Sequence, residues 1–322
     1  MVQPVMGNHS DGDLGQLGWD SFFEQQIAAG EAEYSRLRID AVHRARLTGL
    51  IGTEQFNIDL PARIDTADFA VGDWVLADPF TKMLHRRLER RTLLQRVAEG
   101  KRPSQLVAAN VDTLFIVASC NADFNLARLE RYLAFANDAG TDPVLVLTKA
   151  DMADDAPDFA RQAAGLQRGL AVVTVNARSV EAAESLRPWC GAGSTVAIVG
   201  SSGVGKSTLV NTLVGGGSQQ TGSVRESDSK GRHTTTARSL HAMAGGGWVI
   251  DTPGVRSLNM KDLGQGLDML FAEITELAPS CKFRNCTHDH EPGCAVLAAV
   301  AAGTLDADRL ARWRKLQTES RG

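Results

Sequence analysis

Hydrophobic and polar positions change their period along the chain, and each change marks a region. Residues 7–18 are rich in Gly and Asp and are expected to lack regular structure. Trp19, Phe22, Phe23 and Ile27 then recur at helical spacing, which predicts a short amphipathic helix packed on a neighbouring unit. From about 36 to 100 the pattern is one of short strands broken by turns: Arg38–Val42, Gln55–Leu60 and Trp74–Leu76, the last entered through Gly72-Asp73. Such strands predict a small β-barrel, of OB-fold or SH3-like kind. From 104 onward, apolar runs at 111–118, 144–147, 171–175, 195–199 and 248–250 alternate with helical stretches such as 126–138. That alternation predicts an α/β unit with a mostly parallel sheet covered by helices. Two further helices are expected near 294–302 and 306–318.

The reading divides the chain into an acidic, partly disordered extension (1–35), a barrel (36–103), an α/β unit (104–272) and a mainly helical C-terminal unit (273–322). No stretch is long and apolar enough to suggest a membrane span. The net charge of −4 is unevenly spread. The extension holds six acids and no Lys or Arg, whereas 36–103 holds 13 basic against nine acidic residues. Five cysteines suit a reducing cytoplasm rather than a disulfide framework, and the chain is expected to act there as a monomer without a membrane.

Thr195–Val199 reads as a strand and leads at once into Gly200, Ser201, Ser202, Gly203, Val204, Gly205, Lys206, Ser207 and Thr208, where a helix begins. This is the G-x-x-x-x-G-K-S phosphate loop in its strand–loop–helix setting. Its glycines let backbone N–H groups face phosphates, Lys206 is placed to reach the β- and γ-phosphates, and Ser207 to ligate Mg²⁺. Asp251-Thr252-Pro253-Gly254 follows the strand at 248–250, a D-x-x-G in which Asp251 serves Mg²⁺ and the Gly254 N–H senses the γ-phosphate. Thr148, Lys149, Ala150 and Asp151 follow the strand at 144–147 and give T-K-x-D where N-K-x-D is usual. A carboxylate there accepts from guanine N1–H and its amino group, a donor pair that adenine lacks. Asn176-Ala177 falls where a backbone amide supports guanine O6. Threonine at 148 is expected to lose the tie between this loop and the phosphate loop, weakening nucleotide binding somewhat.

Together the three motifs predict a guanine-nucleotide site, but their order is rotated. The guanine motif comes first and D-x-x-G last, so the α/β unit is expected to be circularly permuted. Near the C-terminus, Cys281-x4-Cys286-x-His288-x5-Cys294 offers three thiolates and one imidazole, a closed set suited to one structural zinc ion. His290 competes with His288 for that role, while Cys120 and Cys190 read as buried thiols.

At this point the chain resembles the ribosome-small-subunit-dependent GTPase A family. The resemblance runs from about 36 to 318 and leaves out the acidic extension. It rests on Gly72–Val75, Asn110–Asp112, Asp123–Asn125, the motifs above and Gly231-Arg232-His233-Thr234-Thr235-Thr236. It implies an OB-fold, a permuted P-loop GTPase unit and a zinc unit, GTP hydrolysis with Mg²⁺, and a role with the small ribosomal subunit and its rRNA. It also makes 231–236 the first switch, in which Thr235 or Thr236 would complete the Mg²⁺ site. Val255 stands where related GTPases carry a water-orienting glutamine, so hydrolysis by the free protein is expected to be slow, with His233 the replacement catalytic group. A GTPase serving another RNA-assembly task, or an RNA-binding switch with little turnover, are the alternatives.

Overall fold

The computed structural model describes residues 11–96, 105–215, 239–251 and 263–321. The N-terminal residues form helices α1 (Asp11–Gln16) and α2 (Ser21–Glu24). Five antiparallel strands follow: β1 (Ser35–Val42), β2 (Leu47–Ile51), β3 (Glu54–Ile58), β4 (Trp74–Ala77) and β5 (Leu84–Arg87). β1 pairs with both β2 and β4, β2 with β3, and β4 with β5. A parallel bridge between Asp59 and Met83 brings the end of β3 to the start of β5, so the five strands close into a ring. Leu37, Ile39, Leu47, Phe56, Ile58, Val75 and Leu84 fill it. The expected strands at 38–42, 55–60 and 74–76 correspond to β1, β3 and β4.

A hairpin of β6 (Leu93–Arg96) and β7 (Gln105–Ala109) leads out of the barrel, and the boundary expected at 103 falls between its paired strands. The α/β unit runs β8 (Thr113–Ser119), α3 (Leu126–Asp138), β9 (Asp142–Thr148), α4 (Ala156–Ala164), β10 (Ala171–Val175), α5 (Val180–Leu186), β11 (Thr195–Gly200), α6 (Lys206–Val214), β12 (Ser239–Ala242) and β13 (Trp248–Asp251). Spatially the order is β10-β9-β8-β11-β13-β12, all parallel except β12. These strands read as unbroken apolar runs because both faces are covered. On β8, Leu114 and Ile116 pack with Leu129 and Leu133 of α3, whereas Phe115 and Val117 pack with Leu209 and Leu213 of α6. Each such side chain contributes roughly 1.5–3 kcal/mol by leaving water.

The C-terminal unit comprises α7 (Gly264–Leu270), α8 (Ala272–Leu277), α9 (Ala295–Ala301) and α10 (Ala307–Arg321). α7 lies so close to α3 that a Cβ on Gly266 would sit 2.1 Å from the Ala134 carbonyl oxygen. Arg309 on α10 anchors the unit. Its guanidinium donates to buried Glu130 on α3 at 2.9 Å, to Glu273 at 2.8 Å and to the Leu166 and Leu270 carbonyls at 2.7 Å each. Arg312 adds a second bond to Glu130 at 2.8 Å.

The largest difference from expectation lies at the N-terminus. Residues 11–18, expected to lack structure, form α1 and a turn in which Leu14 and Leu17 are buried. Gly and Asp give this segment little helical preference of its own, and distant residues supply what it lacks. The Trp248 indole N–H donates to the Gln16 carbonyl at 2.7 Å, Arg38 donates to the Leu17 carbonyl, and Trp19 meets Trp74 edge-on at 4.8 Å. The extension therefore straps the barrel to the α/β sheet. A second joint is direct: Ala41 of β1 pairs with Ser239 of β12, which makes barrel and parallel sheet continuous. Asn110 and Asp112 complete the joint. The Asn110 amide donates to the Gly72 carbonyl at 3.0 Å, and Asp112 accepts from the Thr195 N–H at 2.7 Å. Arg38 is buried between them with its guanidinium brought down to about 10 by desolvation.

Candidate functional site

Open parallel sheets place ligands beyond the carboxyl ends of their strands. Four such ends converge here. Gly200 closes β11, Asp251 closes β13, Thr148 closes β9, and Asn176 follows β10. Residues distant in sequence order thus share one rim, and the rotated order leaves their spatial arrangement intact.

The loop from Gly200 to Gly205 turns under tight constraint. Gly200 has φ +144°, and a Cβ there would lie 2.2 Å from the Val117 carbonyl oxygen, so no other residue fits without moving β8. Gly205 precedes α6 in the left-handed region, and Val204 points into the core. Ser202, Gly203 and Ser207 are exposed on the rim, and Thr208 is the third residue of α6. The Lys206 ammonium folds back to the Ser201 carbonyl at 2.5 Å. Arg128 of α3 donates to the Ser201 hydroxyl at 2.5 Å and pairs with Asp123 at 3.1 Å. This support was missed in the sequence, where Arg128 reads only as a polar helix position. Burial pushes the Asp251 carboxyl above the ordinary carboxylate value, against the pull of His241 and Lys206. A carboxylate held this way, within the field of Lys206, suits a cation.

The guanine motif is better anchored than expected. The Thr148 side chain is fully buried, and its hydroxyl lies 2.5 Å from the Val204 carbonyl and 3.2 Å from that of Ala118. A hydroxyl has one proton, and the shorter contact takes it. Thr148 therefore ties its loop to the phosphate loop, and the expected loss of that tie is corrected. Lys149 takes φ +59°, which starts the turn through Ala150 that presents Asp151. The Asn176 amide donates to Asp151 at 3.1 Å, and the same side chain accepts from the Arg178 N–H at 3.0 Å. Asn176 thus orients the aspartate through its side chain, a role its motif position did not indicate. The Ala177 carbonyl accepts from Thr212 of α6 at 2.7 Å, which fixes the loop. His233, Thr235, Thr236, Gly254 and Val255 lie outside the described residues.

At the C-terminal unit, Cys281, Cys286, His288 and Cys294 bring their ligand atoms within 4.8 Å of one another, a group able to hold a metal ion. The Cys281 and Cys294 sulfurs are 3.8 Å apart, and the His288 Nδ1 lies 3.5 and 3.4 Å from them. Desolvation, then the neighbouring Cys294 and Cys281 sulfurs, pushes the Cys286 thiol up to about 12. Glu291, not singled out in the sequence, shapes the loop. It accepts from the Thr287 N–H and hydroxyl at 2.7 and 2.5 Å and from the Asp289 N–H at 3.0 Å. Arg314 of α10 donates to the His288 carbonyl. His290 is exposed and stands outside the group; Cys120 and Cys190 are buried far from it.

Part of the basic surplus of the barrel is engaged within the chain, while Arg44, Arg46 and Arg63 are exposed. Arg36 pairs with Glu24 at 3.1 Å, Arg86 with Glu31 at 2.6 Å and Arg91 with Asp20 at 2.6 Å, all acids of the extension. Arg90 pairs with Asp73 at 2.6 Å. Among the described residues no helix is long and apolar enough to cross a membrane.

Comparison with known proteins adds to this geometry. The family described as RsgA GTPase matches residues 87–261. The small ribosomal subunit biogenesis GTPase RsgA of Mesorhizobium japonicum is 63% identical over 314 residues, covering 97% of this chain and 91% of that protein. At 97% coverage the similarity takes in most of the acidic extension, which corrects the expectation that the extension stands outside the pattern. The small ribosomal subunit biogenesis GTPase RsgA 2 of Vibrio vulnificus is 49% identical, covering 95% of this chain and 87% of its own. Among solved structures, YjeQ from Thermotoga maritima superposes with a TM-score of 0.66 at 24% identity, over 89% of this chain and 98% of that one. YloQ, described as a circularly permuted GTPase, gives 0.65 at 25% identity, over 91% and 97%.

Proposed function

The chain belongs to the RsgA GTPase family, and from that premise we propose that it hydrolyses GTP to GDP and phosphate in the service of small-subunit maturation. The carrying observation is the tie from Thr148 to Val204, which links the guanine motif to the phosphate loop across 56 residues of sequence. In this reading Asp151, held by Asn176, accepts from guanine, and the loop from Gly200 to Thr208 cradles the phosphates with Lys206. Ser207 and Asp251 would hold Mg²⁺ together with Thr235 or Thr236, and the ion would neutralise charge developing on the phosphates. Gly254 would sense the γ-phosphate, and His233 would position water in place of the glutamine that Val255 replaces.

The three sulfurs and one nitrogen suit zinc. Ligands at roughly 2.3 and 2.0 Å from a tetrahedral centre lie about 3.8 Å (S to S) and about 3.5 Å (S to N) apart, and the spacings here are 3.8, 3.5 and 3.4 Å. Zinc with four protein ligands serves folding. The division into extension (1–35), OB-fold barrel (36–103), permuted GTPase unit (104–272) and zinc unit (273–322) follows, with the ring of β1 to β5 supporting the OB-fold reading. We place the protein in the cytoplasm as a monomer that docks on the small subunit. Val255 favours one second reading, a guanine-nucleotide-controlled RNA-binding switch with little turnover.

Co-sedimentation with purified ribosomal subunits tests the partner. The protein should pellet with small subunits in a non-hydrolysable GTP analogue and far less in GDP. Equal pelleting with large subunits would remove the assignment.

A further inference from the structure

Between the ligands Cys281 and Cys286 the chain makes a four-residue tip, Lys282-Phe283-Arg284-Asn285, and all four residues are exposed. Phe283 is one of the few large apolar side chains left in solvent, at 41% exposure. A lone exposed aromatic needs no explanation by itself. Its surroundings supply one. The Lys282 ammonium stands 5.5 Å from the Phe283 ring centre, and the Arg284 side chain forms no ion pair among the described residues. The acids of the same loop face elsewhere: Asp289 pairs with Arg314 at 3.1 Å, and Glu291 is turned onto the Thr287 and Asp289 amides. The tip therefore carries two unneutralised cations flanking a flat apolar face.

The backbone is pinned on both sides of the ring. The Lys282 N–H donates to the Gly293 carbonyl at 3.1 Å, and the Cys286 N–H donates to the Phe283 carbonyl at 3.2 Å. Two residues of the metal-ligand group bracket the tip, so little ordering is left for docking to cost. An aromatic ring stacks on an unpaired base whatever its identity, and neighbouring Lys and Arg reach the phosphates either side.

We propose that this tip is an RNA-contacting element of the C-terminal unit, with Phe283 stacking on an unpaired base and Lys282 and Arg284 on flanking phosphates. The proposal rests on the small-subunit reading above and names the contact within it. Arg36, Arg86 and Arg91 of the barrel are weaker candidates for such a contact, because the extension already neutralises them.

The test uses the full-length, metal-loaded protein and purified small ribosomal subunits. Phe283→Ala should weaken binding about tenfold, a typical loss for one stacked base, and Phe283→Trp should restore it. The paired change Lys282→Gln with Arg284→Gln should lower the slope of log affinity against log salt by about 1.4, from roughly 0.7 per phosphate contact on single strands. Metal content and GTP affinity should not change, since none of the three is a ligand to either. A photoreactive phenylalanine analogue at position 283 should crosslink to rRNA, and this readout holds even if a substitution disturbs the loop. Wild-type binding with unchanged affinity and slope in the variants would overturn the tip alone, as would a crosslink to a ribosomal protein. Failure of the wild type to bind small subunits would overturn the functional reading together with it.

Discussion

The barrel and the C-terminal unit flank the same nucleotide site and use their cations differently. By composition the barrel is the basic partner, with 13 Lys and Arg against nine acids, while residues 273–322 hold seven of each. In the fold much of that difference is taken up inside the chain, although Arg44, Arg46 and Arg63 of the barrel stay exposed. Arg36, Arg86 and Arg91 are paired with the extension, Arg90 with Asp73, and Arg38 is buried at the joint. The electrically balanced C-terminal unit leaves Lys282 and Arg284 on an exposed tip. The excess charge of a segment does not measure what it offers to a partner, because neutralising acids can come from another part of the chain. The two units also hold together differently. The barrel closes on a ring of strands around an apolar core, whereas the Cys/His loop, on the zinc reading proposed above, would be held by its ligands.

That second difference predicts the largest effect. Cys286→Ser should release the metal and unfold residues around 281–294, since the energy of binding structural zinc is energy of folding. Hydrogen exchange should show the loop losing protection while β1 to β5 keep theirs. Parallel loss in the barrel would mean that the two units are not separately supported.

Next in size is the anchor of the C-terminal unit. Arg309→Met leaves Glu130 buried with only Arg312 beside it, and removal of one partner of a buried pair costs about 3 kcal/mol or more. Urea denaturation followed by a C-terminal probe should show it, and a loss under about 1 kcal/mol would place the anchoring elsewhere. A smaller change concerns the extension. Neutralising Asp20, Glu24 and Glu31 together to Asn, Gln and Gln should free three barrel arginines. The salt dependence of RNA binding should then steepen, by up to about 2 in slope at roughly 0.7 per phosphate contact. An unchanged slope would show that those arginines face no RNA even when released.

The smallest effect is a dependence on pH. Hydrogen bonding from the Arg86 guanidinium, then from the Ala28 N–H, lowers the Glu31 carboxyl from 4.5 to about 2. A depressed folded-state value stabilises the fold above the unfolded value, and the contribution fades as pH falls toward the folded one. The stability gap between wild type and Glu31→Gln should therefore be full above 4.5 and close toward about 2. A gap that widens on acidification would contradict the pairing.

What could be read from sequence was local or periodic. Helix 126–138 and strand 171–175 have the bounds that the pattern predicts, because Leu126 to Phe135 repeat at helical spacing and 171–175 is an apolar run broken only by Thr174. The phosphate loop was legible because its glycines and lysine are contiguous. What escaped depends on residues far apart. α1 exists because Trp248 and Arg38 receive a segment with little preference of its own. β5 reads Leu-His-Arg-Arg and looks like a polar turn, since its pairing with β4 rather than its side chains makes it a strand. Thr148 was read as a loss because its partner, the Val204 carbonyl, is a backbone atom that no motif displays.

Val255 stands where related GTPases carry a water-orienting glutamine, and we propose that docking on the small subunit completes the guanine-nucleotide site and stimulates hydrolysis. The most direct measurement is phosphate release from GTP by the free protein, with purified small subunits and with large subunits. The account predicts slow release alone and with large subunits, and acceleration of roughly 10³-fold or more with small subunits, the range in which completed GTPase sites gain rate. Equal rates in all three conditions would contradict it.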